Sequence, residues 1–219
     1  DGKQYLDGVD LTAVSFYERL ATDPKMPTTS QPTPGDFLQM FEKARDDGAD
    51  EIVVIVISSA MSGTIGSVRT AAESFSLPVH IVDSRSNSMS LGWQVLAAAR
   101  ERENSGNAQR MVEAAEKVRK SLHYHIILET MDYLFQGGRI AGAARMISGV
   151  LKIKPQIRVN HESGTVEPGD ISRTRNQAIE KLYSSFFKKV DITRPLHIAI
   201  LHNAALAEAE SLAARIREE

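Results

Sequence analysis

The sequence predicts an α/β protein of two α/β domains, the first with a mostly parallel sheet. Three observations carry that expectation. Short runs of β-branched residues alternate with stretches whose apolar residues recur every three or four positions. Loops rich in Ser, Gly and Asp follow two of those runs directly, at 58–66 and 83–88. Two helical stretches in succession, over 88–122, then precede a fresh strand. That order sets a domain boundary near residue 122, dividing 1–122 from 123–219.

Taken in order, DGKQYLDGVD (1–10) is polar and turn-like. Phe16 to Leu20 make a short helix, followed by a Pro/Thr-rich loop, TDPKMPTTSQPTPGD (22–36). The end of that loop carries a helix start, with Thr33 as N-cap, Pro34 at the first helical position and Asp36 in the first turn. Phe37, Met40, Phe41 and Ala44 supply the apolar stripe, and Gly48 closes the helix. A strand over Ile52–Ile57 runs into the Ser/Gly loop, and a helix follows from Ile65 to Phe75. LPVHIVDS (77–84) is a short buried strand, SLGWQVLAAARER (90–102) a helix, and Met111, Ala115, Val118 and Leu122 mark a second helix.

HYHIILET (123–130) reads as the next strand, and MDYLFQGGRIAGAARMISGVL (131–151) as a helical segment broken at Gly137-Gly138. KIKPQIRVNHESGTVEPG (152–169) reads as strand, turn and second strand. Ile179, Leu182, Tyr183, Phe186, Phe187 and Val190 predict an amphipathic helix, PLHIAILHN (195–203) another strand, and the remainder a terminal helix. That helix stops without a cap, and no start signal precedes residue 10, so the expectation is a piece of a chain longer at both ends.

Bulk properties exclude several classes. At 219 residues, 42% hydrophobic and 25% charged, the composition is that of a soluble globular protein. A formal charge of −2 gives no electrostatic case for nucleic acid. Cysteine is absent, which removes disulfides and thiol catalysis and fits the cytoplasm. No apolar run approaches the roughly 18 residues of a spanning helix, so no integral membrane association is expected.

Chemistry concentrates in the loop SSAMSGTIGS (58–67). Gly63 and Gly66 have the wrong spacing for a phosphate or dinucleotide loop, and AMSGT lacks the first glycine of a hydrolase elbow. What remains is a strand-to-helix turn offering the hydroxyls of Ser58, Ser59, Ser62 and Thr64 beside helix N–H groups. Such a turn suits one anionic group, and it equally suits plain capping of the helix that follows. TTSQP (28–32) reads alone as a plain turn; DSRSNS (83–88) follows a strand C-terminus, where α/β ligand sites gather, and its Asp83 has a structural role, capping a helix or ordering the hydroxyl loops. His123 and His125 lack a third ligand, so no metal is expected, and they read as edge or surface residues of a strand. Arg139, Arg145, Lys152, Lys154 and Arg158 form a basic stretch suited to an acidic partner or to solvent.

Six motifs in one order, YLDGVDLT, TTSQPTPGDF, ISSAMSGTIGSV, IVDSRSNSMSLGWQVL, YLFQGGRI and ISGVLKIKPQI, give the chain its resemblance to the DegV family, from about residue 5 to about residue 180. The resemblance implies a long-chain fatty acid in an apolar tunnel between the two domains. Hydroxyls of the T-S-Q-P and S-G-T loops, here Thr29 or Ser30 and Ser62, would hold its carboxylate, with Gly63 and Thr64 beside them. It further implies no cofactor and no catalysis by the chain itself. The fatty acid is presented to the catalytic subunit of a separate fatty acid kinase, which makes the acyl phosphate that enters phospholipid synthesis. Arg139 of G-G-R-I belongs to the kinase contact. The family's opening strand with an Asp-Ser element and its closing His-x-Gly-Pro-Gly-like motif do not occur here, and Ser90 stands where a glycine is common. A different class, a serine-dependent hydrolase or phosphoryl-transfer enzyme using Ser62, requires a general base beside that hydroxyl. A binding module for another small carboxylate would need a short or polar pocket.

Overall fold

Five consecutive β-branched residues leave the backbone little choice but extension, and Ile52–Val56 forms strand β1 of the computed structural model. The structure describes residues 2–140, 143 and 153–218. They fall into two units, Asp1–Thr29 with Thr193–Glu219, and Ser30–Ile192. The first unit holds α1 (Ala13–Thr22) and α8 (Leu206–Arg217). Helix α1 starts three residues before the apolar stretch that announced it, because the Thr12 hydroxyl accepts from Ser15 N at 3.2 Å and caps it.

The second unit carries the remaining elements: α2 (Pro34–Asp46), β1, α3 (Thr64–Glu73), β2 (Val79–Asp83), α4 (Ser88–Ser105), α5 (Ala108–Ser121), β3 (His125–Ile127), α6 (Asp132–Gln136), β4 (Lys154–Val159), β5 (Val166–Ser172) and α7 (Arg175–Phe187). Strands β1 and β2 are parallel, in a register that runs from Ile52 opposite Val79 to Val56 opposite Asp83. Both therefore release their loops at the same edge. Strands β3, β4 and β5 form an antiparallel sheet in that order. The alternation of strand and helix makes the fold α/β, with one parallel sheet among the described residues.

Helix α2 starts as its sequence dictates. Thr33 Oγ1 accepts from Asp36 N at 3.2 Å while Asp36 Oδ2 accepts from Thr33 N at 2.7 Å, a reciprocal capping box with Pro34 at the first helical position. The Thr33 hydroxyl also donates to Asp36 Oδ2 at 2.8 Å, and this bond first, then the one from Thr33 N, holds the Asp36 carboxyl below the usual range. The core under β1 comes from Phe41 of α2, Val56, and Ile65, Val68 and Ala71 of α3, the last three at the spacing of one helical face. A second cluster joins Met131, Ala143, Ile157 and Val166, and Met61 of the Ser/Gly loop packs against it.

One expectation changes. PLHIAILHN carries no strand pairing among the described residues, and Leu201 is 50% exposed. Apolar alternation specifies a strand only where a neighbour supplies the ladder, and the described residues provide none for this run. His125 lies on the edge strand β3, as its sequence position suggested, and is half-buried there with its ring packed edge-on against Phe186. The helical segment proposed for 131–151 ends, as far as it is described, in the short α6, and Arg145 and Lys152 lie outside the described residues.

Candidate functional site

The parallel register delivers two loops to one edge, 57–63 after β1 and 84–87 after β2. The Asp83 side chain joins them. Its Oδ2 accepts from Ser59 Oγ at 2.6 Å, and its Oδ1 accepts from Ser59 N at 3.3 Å and Arg85 N at 2.8 Å. This is the ordering role expected of Asp83. Arg119 of α5 fixes the same place by donating to Asp83 O at 2.9 Å.

Ser62, Gly63 and Thr64 form the turn into α3. The Ser62 and Thr64 hydroxyls lie 2.8 Å apart, and Thr64 N donates to Ser62 Oγ at 3.3 Å. Ser62 is half-buried and Thr64 buried. The N-cap itself is Gly63, which has no side chain to spend on the helix. Ser62 Oγ takes the first N–H of α3, in the place of a side-chain cap from Gly63. The two hydroxyls form a pair beside the opening turn of a helix, where N–H donors and the dipole both favour negative charge.

Gln31 brings the second hydroxyl loop to this turn. Its Nε2 donates to Ser67 Oγ at 3.0 Å, and its carboxamide fills the space beside Gly63 where a Cβ would otherwise stand. Ser30 is the residue immediately before it, at the start of the second unit, while Thr29 ends the first. The contacts at the Ser62–Gly63–Thr64 turn thus come from Gln31, the neighbour of Ser30, a residue with no sequence signal of its own. Gln31 gives no propensity signal in a Pro/Thr-rich loop, and its partner lies 36 residues away.

Arg139 reaches the same loop from the other side. Helix α6 ends at Gly137, Gly138 takes φ +70°, and Arg139 N closes the turn on Leu134 O at 3.1 Å. The arginine then donates through Nε to Met61 O at 3.3 Å and through Nη1 to Gly137 O. The other described members of the basic stretch go elsewhere. Lys154 pairs with Glu129, and Arg158 donates to Pro168 O at 3.2 Å, so they do not form one patch with Arg139.

Ser62 Oγ has Thr64 as its hydrogen-bonding neighbour, and among the described residues no His, Asp or Lys bonds to it. A cavity of 210 Å³ lies apart from this turn, lined by His123, Tyr124, His125, Arg158, Glu167 and Lys189 among others. Burial, with Lys189 and Arg158 close by, moves the His125 pKa from the usual 6.5 to about 4. Among the described residues no cluster of three or more His, Asp or Glu side chains is placed to hold a metal, and no helix is long and apolar enough to cross a membrane.

Known proteins with the same motifs and fold share one family. A family model described as an uncharacterised protein of the DegV family matches residues 1–219. A DegV domain-containing protein of Deinococcus radiodurans is 35% identical over 182 residues, 83% of this chain. The chain spans 64% of that relative's length. One of Streptomyces coelicolor is 35% identical over 191 residues, covering 87% of this chain and 67% of the relative. Among solved structures, a DegV family protein from Thermus thermophilus, described by its fatty acid binding, matches with a TM-score of 0.77 at 29% identity over 86% of this chain and 66% of its own. DegV from Bacillus subtilis, described as a fatty acid binding protein, matches with a TM-score of 0.87 at 25% identity over 99% of this chain and 76% of its own.

Proposed function

The chain belongs to the DegV family, and on that premise we propose that it binds a long-chain fatty acid whose carboxylate is held by Ser/Thr hydroxyls of the two loops joined by Gln31. Ser62 and Thr64 donate their hydroxyls, Gly63 offers its N–H, and Ser30 supplies the hydroxyl from the T-S-Q-P loop. Thr29 enters the reading through its motif alone. The observation that carries it is the packing of Gln31 on Gly63, which supports bringing two uncharged donor loops to one helix start. The fatty acid binding described for the Thermus and Bacillus proteins supports the ligand class.

The energetics suit that ligand. Burying a chain of roughly 16 carbons contributes about 10 kcal/mol gross, before the costs of association. The acyl chain then supplies the affinity, and the head group needs only to be oriented. Neutral hydroxyls orient a carboxylate without clamping both oxygens, as a bidentate arginine would. One oxygen stays free to attack the γ-phosphorus of ATP, displacing ADP and forming an acyl phosphate. We assign that step to a separate kinase in the cytoplasm, with Arg139 at the contact and no cofactor on this chain. Its product would enter phospholipid synthesis.

The experiment is native mass spectrometry of protein purified from a bacterial host, followed by titration with palmitate. A co-purifying mass in the range of a long-chain fatty acid, and a weakened titration in Ser62→Ala, are expected. Ligand-free protein whose palmitate titration is indifferent to Ser62→Ala would remove the reading.

A further inference from the structure

The tip of the β4–β5 hairpin is fastened to the strand-end loops of the parallel sheet. Ser58 Oγ donates to Gly164 O at 2.8 Å, joining residues 106 apart in the chain. One loop further on, the Arg85 guanidinium donates to Glu162 O. Gly164 is buried and holds φ +74°, and a Cβ there would overlap the Ser58 hydroxyl and stand 3.3 Å from Arg85 Cα. Two separate reasons therefore exclude a side chain at this position: the left-handed backbone and the lack of room.

Ser58 is also the anchor of the turn that carries Ser62. Its carbonyl accepts from Met61 N and from Ser62 N, each at 3.0 Å, and its hydroxyl accepts from Ala60 N at 3.2 Å. Its own N–H donates to Ser86 O at 2.8 Å, and the residue is 0% exposed. A serine hydroxyl has one proton to give, and here it goes to the hairpin tip. The backbone of Ser62 thus hangs from a residue whose orientation is set by Gly164.

We propose that Ser58 is a positioning residue, through which the hairpin tip at 161–164 sets the placement of Ser62, Gly63 and Thr64. Its consequence for affinity rests on the reading of those residues as a carboxylate clamp. Ser58 does not touch the ligand. It fixes the backbone from which the clamp hydroxyl and N–H groups project, so a disturbance at the tip arrives at the clamp through one buried hydrogen bond. The contact also ties the antiparallel sheet to the parallel one at the point where the hydroxyls are displayed.

The test compares wild-type protein with Ser58→Ala and Gly164→Ala, reading backbone amide resonances without ligand and palmitate affinity by titration. Ser58→Ala deletes the donor, and Gly164→Ala presses on it from the other side. Both are expected to move the amide resonances of Ser62, Gly63 and Thr64 and to weaken palmitate binding by roughly fivefold, the scale of one buried hydrogen bond. The double variant should disturb residues 62–64 less than Gly164→Ala does, because loss of the Ser58 hydroxyl makes room for the new methyl group. Shifts confined to 160–166, with palmitate affinity as in wild type, would overturn the proposal and leave Ser58 a purely structural residue. If Gly164→Ala does not fold, the Ser58→Ala resonances decide alone. Wild-type protein that binds no palmitate sinks the clamp reading instead, and the amide shifts at 62–64 still decide for or against Ser58.

Discussion

The carboxamide of Gln31 occupies the space that a side chain at Gly63 would need. Gly63 has φ −75°, an ordinary value for any residue, so no left-handed conformation explains the glycine here. Its neighbour does. Gly63→Ala should therefore displace Gln31, break its bond to Ser67 and release the T-S-Q-P loop. The cost in stability is expected to stay below about 1 kcal/mol, since Gln31 is a flexible side chain that can swing away. Palmitate binding should weaken several-fold. Gln31→Ala should weaken it by a similar factor, and the double variant should be no worse than either single one, as titration of all three would reveal.

Ser62→Ala and Thr64→Ala test the hydroxyl pair. Each removes one partner of the 2.8 Å contact and leaves the other hydroxyl to find a new one. A hydrogen bond to a charged group contributes about 1.5–3 kcal/mol, so Ser62→Ala should weaken palmitate binding at least tenfold at pH 7. Thr64 is buried in the first turn of α3, and Thr64→Ser keeps the hydroxyl while trimming one methyl group. Thr64→Ser should bind nearly as wild type, whereas Thr64→Ala should not. Equal titrations for the two would place the methyl group, and not the hydroxyl, in the role.

The start of α2 offers a test of the fold itself. Thr33 Oγ1 and Asp36 Oδ2 cap each other's backbone N–H groups. Thr33→Ala should cost about 1 kcal/mol in urea melts, the usual value for a lost N-cap. The same variant frees the residue two positions after Gln31, so its palmitate affinity should fall by more than the stability loss alone would cause.

These predictions also mark what the sequence could reveal. The capping box was legible, because Thr33, Pro34 and Asp36 act within one turn and each has a local preference. So were β1 and β2, whose β-branched runs end directly in the hydroxyl loops. Gln31 and Ser58 were not legible as organisers, since their partners Ser67 and Gly164 lie 36 and 106 residues away. Neither residue type announces a long-range contact. The run 195–203 failed for the opposite reason: its local pattern was right for a strand, and pattern alone cannot supply the neighbouring strand.

The half-buried histidine on β3 predicts a pH dependence of known sign. Burial first, then Lys189, Arg158 and His123, push the His125 pKa down to about 4, with Asp170 opposing them. In the unfolded chain the ring takes its proton near pH 6.5. Between those values the unfolded state binds more protons, so stability falls as the pH drops through that window and levels off below about pH 4. Solvent still reaches the half-buried ring and screens it, so the loss from His125 stays well below the ~3 kcal/mol of the full shift, and His123 and His161, both also shifted down by burial, add to the slope. Urea melts at pH 7 and pH 4.5 should differ accordingly, and His125→Gln, which keeps a polar group beside Gln156 and Ser185, should flatten the difference. An unchanged pH dependence in that variant would assign the acid sensitivity to other groups.

The proposed kinase contact at Arg139 is testable apart from the proposed fatty acid binding. The guanidinium lies back on its own chain, with Nε on Met61 O and Nη1 on Gly137 O. A planar fork can serve those two carbonyls and still offer a further face to a partner, whereas a lysine has a single point of charge. Arg139→Lys should therefore lose most of whatever Arg139→Ala loses in acyl phosphate formation with the kinase. Because the bond to Met61 O is exposed and long, palmitate affinity should change far less than the rate of hand-off. The two quantities are measured by titration and by steady-state assay with the kinase held constant. A fall in affinity that matches the fall in rate would make Arg139 a brace for the clamp loop and remove it from the kinase contact.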